Sequence, residues 1–184
     1  MSKLVQLKKG GEIRVKLEKL GGGINHANYQ LGQKAKGFTT WMRPVAKGAD
    51  DGVAWMAANA DKFVLQEGKK MIDLLALDYD QLPPGWQANN DDAAKFAVEL
   101  VCKFLLWTDG NVTEEHIKIM GRLIHNNWTR QQIDWAQEEI GAWPSMFAEK
   151  KDVDYCLLSE DEQAKDDDII RVILKQALTL LASE

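Results

Sequence analysis

Seven tryptophans, three histidines and two cysteines carry most of the chemistry available to this chain of 184 residues. An indole either fills a core or offers a flat face on which a planar ligand stacks. Spacing has to decide between those uses for Trp41, Trp55, Trp86, Trp107, Trp128, Trp135 and Trp143. His125 and Trp128 stand three apart in a helical pattern, so they are neighbours on one helix face. The imidazole can then orient the indole or touch a ligand itself. The same spacing puts Trp128 on an apolar stripe with Ile117, Gly121 and Ile124, which suits a buried core residue equally well. Trp135 and Trp143 are likewise open between core and pocket wall.

The motifs of catalysis are missing. No glycine-rich loop ends in Gly-Lys-Ser/Thr, and Gly21-Gly22-Gly23 does not extend into a dinucleotide fingerprint. There is no Cys-x-x-Cys and no His-Glu-x-x-His. Cys102 and Cys156 sit among apolar residues and read as buried free thiols. Asp166-Asp167-Asp168 lies near a helix start. Three consecutive helical residues point three ways, so the expectation is a solvated helix start rather than a magnesium site. No catalytic residue, metal ligand or cofactor is expected.

Composition narrows the class. Apolar residues make up 45% and charged residues 28%, as in soluble globular proteins. Apolar runs break at charges well before the ~18 residues a membrane span needs. The start, Met1 to Lys8, lacks the apolar core of a signal peptide, so a cytoplasmic protein is expected. The net charge of −5 divides into +6 over residues 1–76 and −11 over residues 77–184. An acidic body argues against nucleic acid as a partner, because neutralising phosphates needs clustered Lys and Arg.

The elements that must position these residues follow from periodicity. Lys3–Leu7 and the alternating run Ile13–Leu17, joined through Gly10-Gly11, predict a β-hairpin, with Gly21–Gly23 as a flexible joint. Further strands are expected around Ala27–Leu31 and Phe38–Met42, and a short helix over Asp51–Ala60. Helical spacing then places Ala97, Leu100, Val101, Phe104 and Leu105 on one face, stopped at Gly110. Thr113 caps a second long helix with Ile117, Met120, Gly121, Ile124 and Trp128 inward, running toward Ile140. Residues 145–157 read as an irregular connection. Ser159 to Glu162 opens a last helix bearing Ile170, Ile173, Leu174, Ala177, Leu178 and Leu181. The fold class is mainly α with a small N-terminal β-hairpin or sheet module. The domains are a basic module over 1–76 and a helical domain over 77–184.

Within the helical part, four short segments occur in order. They are His125-Asn126-Asn127-Trp128, Gly141-Ala142-Trp143, Val153 to Glu162, and Asp166 at the opening of the last helix. This set resembles the RyR domain, the repeat named after ryanodine receptors and also found singly in bacterial and phage proteins. The segment Leu82-Pro83-Pro84-Gly85-Trp86 also resembles the lead-in of bacterial members. The likeness covers residues 78–182. It departs at Gly141-Ala142-Trp143-Pro144, where the family has Gly directly before its second Trp and then Tyr-Gly.

The resemblance implies a non-catalytic helical module that holds an adenine nucleotide. The base would stack on Trp128, and Asp166 would make polar contacts. His125, Trp135 and Trp143 complete the expected ligand-binding set. A free-standing module of this kind would sense or sequester an ADP-ribose-type or cyclic signal, as a phage protein would to blunt a host defence. A homo-oligomer is expected, because the family's ligand sandwich uses aromatics from two repeats. The alternative is an assembly protein whose N-terminal hairpin makes subunit contacts.

Overall fold

The computed structural model describes residues 3–45, 52–135 and 154–183; of residues 131–135 it describes the backbone alone. The protein is mainly α with a small antiparallel sheet module. The elements run α1 (Glu12–Ala35), β1 (Met42–Pro44), α2 (Val53–Ala58), β2 (Val64–Gln66) and β3 (Lys69–Asp73), then α3 (Pro84–Trp107), α4 (Glu114–Trp135) and α5 (Glu160–Ser183). Short 3-10 turns occupy Lys3–Leu7, Tyr79–Gln81 and Tyr155–Leu157. Residues 16–95 form one compact unit. Those up to 15, with those from 96 onward, form the other. No helix among the described residues is long and apolar enough to cross a membrane.

The N-terminal hairpin is not formed. Lys3–Leu7 is a 3-10 turn, and Glu12–Ala35 is one continuous helix that takes in Ile13–Leu17, the three glycines and Ala27–Leu31. The run Ile13–Leu17 alternates for five residues, but Ile13 and Leu17 are also one helical turn apart, and those two are fully buried. So short a run satisfies both periods, and packing chooses the helix. Subunit contacts through an N-terminal hairpin lose their basis here.

In the unit of residues 16–95 the sheet order is β1-β3-β2. β2 and β3 join through a two-residue turn, Glu67 and Gly68, whose φ angles of 52° and 76° match the strands' twist. The core collects Val45, Ile72, Leu74, Leu77 and Leu82, with Trp41, Trp55 and Trp86 packed around it. Trp55 Nε1 donates to the Gln81 carbonyl at 3.1 Å and Trp86 Nε1 to the Pro44 carbonyl at 3.0 Å. His26 Nε2 donates to the Leu77 carbonyl at 2.8 Å. The expected short helix is present as α2.

In the other unit the expected stripes are buried. Ala97, Leu100, Val101 and Leu105 on α3, Ile117, Met120 and Ile124 on α4, and Ile170, Ile173, Leu174 and Ala177 on α5 form its core. Asp109 and Gly110, at φ 50° and 87°, end α3. Thr113 Oγ1 accepts from the His116 backbone N–H at 3.4 Å, while His116 Nδ1 accepts from the Thr113 N–H at 3.1 Å. That is a capping box with histidine in the place of glutamate. Cys102 is buried as expected, whereas Cys156 is exposed, because its 3-10 turn directs Tyr155 inward instead.

Gly21 shows why glycines sit inside α1. A Cβ there would stand 2.8 Å from the Cβ of Ala94 on α3, closer than two methyl carbons allow. Close helix approach offsets the ~0.5–1 kcal/mol that a helical glycine costs. Gly21→Val is expected to lower unfolding free energy by about 2–3 kcal/mol in urea denaturation, as overpacking of a tight contact does. A variant as stable as the wild type would show that α1 and α3 can separate freely at this point.

Candidate functional site

The site is built where α5 begins against the middle of α4. Gly121 makes the approach possible: a Cβ on residue 121 would overlap the Asp167 carboxylate and lie 3.2 Å from the Tyr155 hydroxyl. One helical turn further along α4, His125 Nδ1 meets Asp166 Oδ2 at 3.3 Å. His125 is buried, and the Asp166 side chain is 21% exposed. The Trp128 ring lies 6.3 Å from the His125 ring, tilted by 31°, and is half-buried. The Tyr155 ring lies 6.2 Å from the same imidazole.

Tyr155 comes from the turn that precedes α5. Asp154 opens that turn, accepting from the Cys156 backbone N–H at 3.2 Å and from Arg122 Nη2 on α4 at 3.1 Å. Tyr155 Oη then donates to Asp167 Oδ1 at 2.6 Å, with both groups buried. Arg171, one turn on, lies 4.0 Å from Asp167 and 3.5 Å from Asp168, and also pairs with Glu114 at the start of α4. The three aspartates do point three ways. Two of them turn into the helix interface, however, and the expectation of a solvated helix start is corrected for Asp166 and Asp167. The reason is Gly121, which leaves room for a carboxylate between the helices.

Burial sets the electrostatics. Desolvation raises the Asp166 carboxyl to about 6, against the pull of His125 in the other direction. Burial also raises Asp167, opposed by its hydrogen bond from Tyr155. The Tyr155 phenol is pushed up first by burial, and further by its hydrogen bond to the Asp167 carboxylate and by that carboxylate's negative charge. Asp154, which is exposed, is lowered, first by accepting from the Cys156 backbone N–H. Near neutral pH Asp166 therefore exchanges a proton readily, and can offer an O–H donor or a carboxylate acceptor.

Of the five expected ligand-binding residues, His125, Trp128 and Asp166 are brought together. The Trp135 side chain and all of Trp143 lie outside the described residues, as does the Gly141–Pro144 segment. Sequence reasoning missed Tyr155, Asp167 and Gly121. Their signal is a long-range steric fit, with no trace in local spacing. Thr129 Oγ1, one turn beyond His125, is buried with no hydrogen-bond partner among the described residues. Among those residues no group of three His, Cys, Asp or Glu could hold a metal ion. A separate open groove of about 470 Å³ runs between the later turns of α5 and Ile117, bordered by Arg171, Leu174, Lys175 and Leu178.

The sign of the pH effect follows from Asp166. Its folded pKa is raised, so the folded chain holds that proton more tightly than the unfolded chain does. Its contribution to stability is full below about pH 4 and is lost as pH rises through about 6. Asp166→Asn is expected to remove this term. Between about pH 4 and 7 the wild type should lose on the order of 2 kcal/mol more stability than the variant does, measured by urea titration. Identical pH profiles for the two proteins would show that the carboxyl is not desolvated.

No protein family, no curated protein and no solved structure matches this chain.

Proposed function

We propose that the chain is a non-catalytic binding protein for an adenine-containing nucleotide or an ADP-ribose-type signalling molecule, which it senses or sequesters. The observation that carries this reading is the meeting of His125, Trp128 and Asp166 from two helices at one place. A half-buried indole is partly covered and partly available, as a stacking platform has to be. Stacking of a base on such a face contributes ~1–3 kcal/mol. Asp166, balanced near neutral pH, can pair with the amino group and the ring nitrogen that a purine edge presents side by side. The Thr129 hydroxyl, which has no hydrogen-bond partner among the described residues, gives a further polar group on the same stretch of α4. The resemblance of this stretch to the RyR domain points the same way. Sequestration of a host signal by a phage protein would be one use of such a module.

Calorimetry against adenine nucleotides, ADP-ribose and cyclic dinucleotides tests the reading. Binding to the wild type should quench tryptophan fluorescence and raise the melting temperature by mass action. Trp128→Ala should stay folded and lose roughly ten- to hundredfold in affinity. Asp166→Ala should lose less, about tenfold or under, since one hydrogen-bonding group is removed. Absence of binding across the panel would overturn the proposal. So would a Trp128→Ala variant that unfolds while no nucleotide stabilises the wild type, because Trp128 would then be core.

A further inference from the structure

The two units of the chain repeat one arrangement. In the unit of residues 16–95, Tyr79 Oη donates to Asp91 Oδ1 at 2.5 Å, just as Tyr155 donates to Asp167 at 2.6 Å in the other, and both pairs are 12 residues apart. Each tyrosine opens a 3-10 turn behind an aspartate, Asp78 or Asp154. Each pair closes over a helix glycine. A Cβ on Gly22 would overlap the Asp91 carboxylate, as one on Gly121 would overlap that of Asp167. One helical turn beyond each glycine stands a buried histidine, His26 or His125. Gln87 Nε2 donates to the Leu82 carbonyl at 3.0 Å, and Gln163 Nε2 donates to the Leu158 carbonyl at 3.0 Å. Asp78, Tyr79, Leu82, Gln87, Ala88, Asp91 and Asp92 recur as Asp154, Tyr155, Leu158, Gln163, Ala164, Asp167 and Asp168, seven identities in fifteen positions. Shared identities and shared hydrogen bonds together make these two copies of one module.

The copies differ where the candidate site lies. By position, Tyr29 answers to Trp128, Gln30 to Thr129 and Asn90 to Asp166. In the first copy these residues serve the chain itself. His26 Nε2 and Gln30 Nε2 both donate to the Leu77 carbonyl at 2.8 Å, and Gln30 Nε2 also donates to the Leu74 carbonyl at 3.0 Å. Tyr29 packs against the core cluster that contains Leu74 and Leu77. Asn90 Oδ1 accepts from Asn25 Nδ2 at 3.1 Å. The link Leu74–Leu77 thus supplies two acceptors and an apolar face to the stripe of His26 and Gln30. In the second copy the matching stripe is His125 and Thr129, again one helical turn apart. Thr129 Oγ1 is buried with no hydrogen-bond partner among the described residues, whereas its counterpart in the first copy has two acceptors. A buried hydroxyl left unmatched is unfavourable, so an acceptor brought to it is gained at full value.

We propose that the chain is one module in two copies, the first closed by its own Leu74–Leu77 link, the second holding a ligand at the matching place, where the Thr129 hydroxyl donates to an acceptor atom of that ligand. The inference rests on the nucleotide reading above and sharpens it. One chain takes one nucleotide, because the first place is filled from within. Adenine carries suitable acceptors in its ring nitrogens. Thr129 is then a ligand-contacting residue, and Gln30, its counterpart, is a residue of the fold.

Adenosine monophosphate is the probe, titrated to about 10 mM so that a dissociation constant near ~1 mM still registers in the tryptophan indole N–H signals. The wild type should bind one probe per chain. Thr129→Val should bind about three- to tenfold more weakly, the effect of one lost hydrogen bond, yet melt no lower than the wild type, since it removes a buried unmatched hydroxyl. Thr129→Ser, which keeps the hydroxyl, should stay within about twofold of wild-type affinity. Gln30→Met should leave affinity and stoichiometry unchanged. Without any probe, the same variant should speed amide hydrogen exchange at residues 74–77 at least ~fivefold while leaving residues 121–128 as they were. Two probes per chain, binding lost in Gln30→Met, or wild-type affinity in Thr129→Val would overturn this inference and leave the nucleotide reading standing. Unaltered exchange at 74–77 in Gln30→Met would overturn the closure of the first copy whatever binds elsewhere. A wild type that ignores the probe would overturn the nucleotide reading itself, and this inference with it.

Discussion

Asp167 has a place in the structure only because residue 121 has no side chain. The two long helices α4 and α5 come together at that glycine, and the carboxylate occupies the volume a Cβ would take. From this one steric allowance the rest of the site follows. The approach brings the first turns of α5 against the middle of α4, so that Asp166 reaches His125 one turn from Gly121. It also leaves room above Asp167 for the Tyr155 hydroxyl, whose turn is tied back to α4 by Arg122 through Asp154. Any larger residue at 121 would separate the helices, and the imidazole, the carboxyl and the phenol would lose one another together.

The second constraint is the cost of burying two adjacent carboxyls. Each has a specific partner, His125 for Asp166 and Tyr155 for Asp167, yet burial outweighs the partner in both cases and both pKa values rise. Asp154, exposed at the turn before α5 with a backbone N–H to accept from, moves in the opposite direction. The difference is solvent access rather than residue type. A desolvated acid that destabilises the fold at neutral pH is tolerated where it serves something other than folding, which is why such groups gather at binding sites.

The helices of the larger unit were legible because their apolar stripes run for several turns. Ile117, Met120 and Ile124, or Ile170, Ile173 and Ala177, cannot be mistaken for a strand's alternation. The start of the chain misled because five residues, Ile13–Leu17, fit both periods, and because Gly21–Gly23 reads as a joint when Gly21 and Gly22 are there for close contact, with Ala94 and with Tyr79 and Asp91 respectively. The real hairpin over Val64–Asp73 turns on Glu67-Gly68, a weaker turn signal than Asn-Gly or Asp-Gly. Within the site, the pairing of His125 with Trp128 is local and could be read from spacing. Asp166 entered only through a family resemblance. Tyr155, Asp167 and Gly121 meet through the tertiary fold, and nothing in their neighbourhoods along the chain announces it.

The tryptophans show why composition alone could not locate the site. Trp55 and Trp86 spend both ring and N–H on structure, each packing on the sheet's core while donating to a backbone carbonyl. Trp107 stands 73% exposed at the end of α3, edge-on to Phe104 and His116. Trp128 differs from these in its company. It is half-buried beside an imidazole that itself faces a carboxyl poised near neutrality. An indole supplies area to any flat partner, whereas polar groups at its edge add the directional contacts by which one flat partner differs from another. The proposed binding role of Trp128 rests on the pairing of those two properties rather than on the abundance of tryptophan.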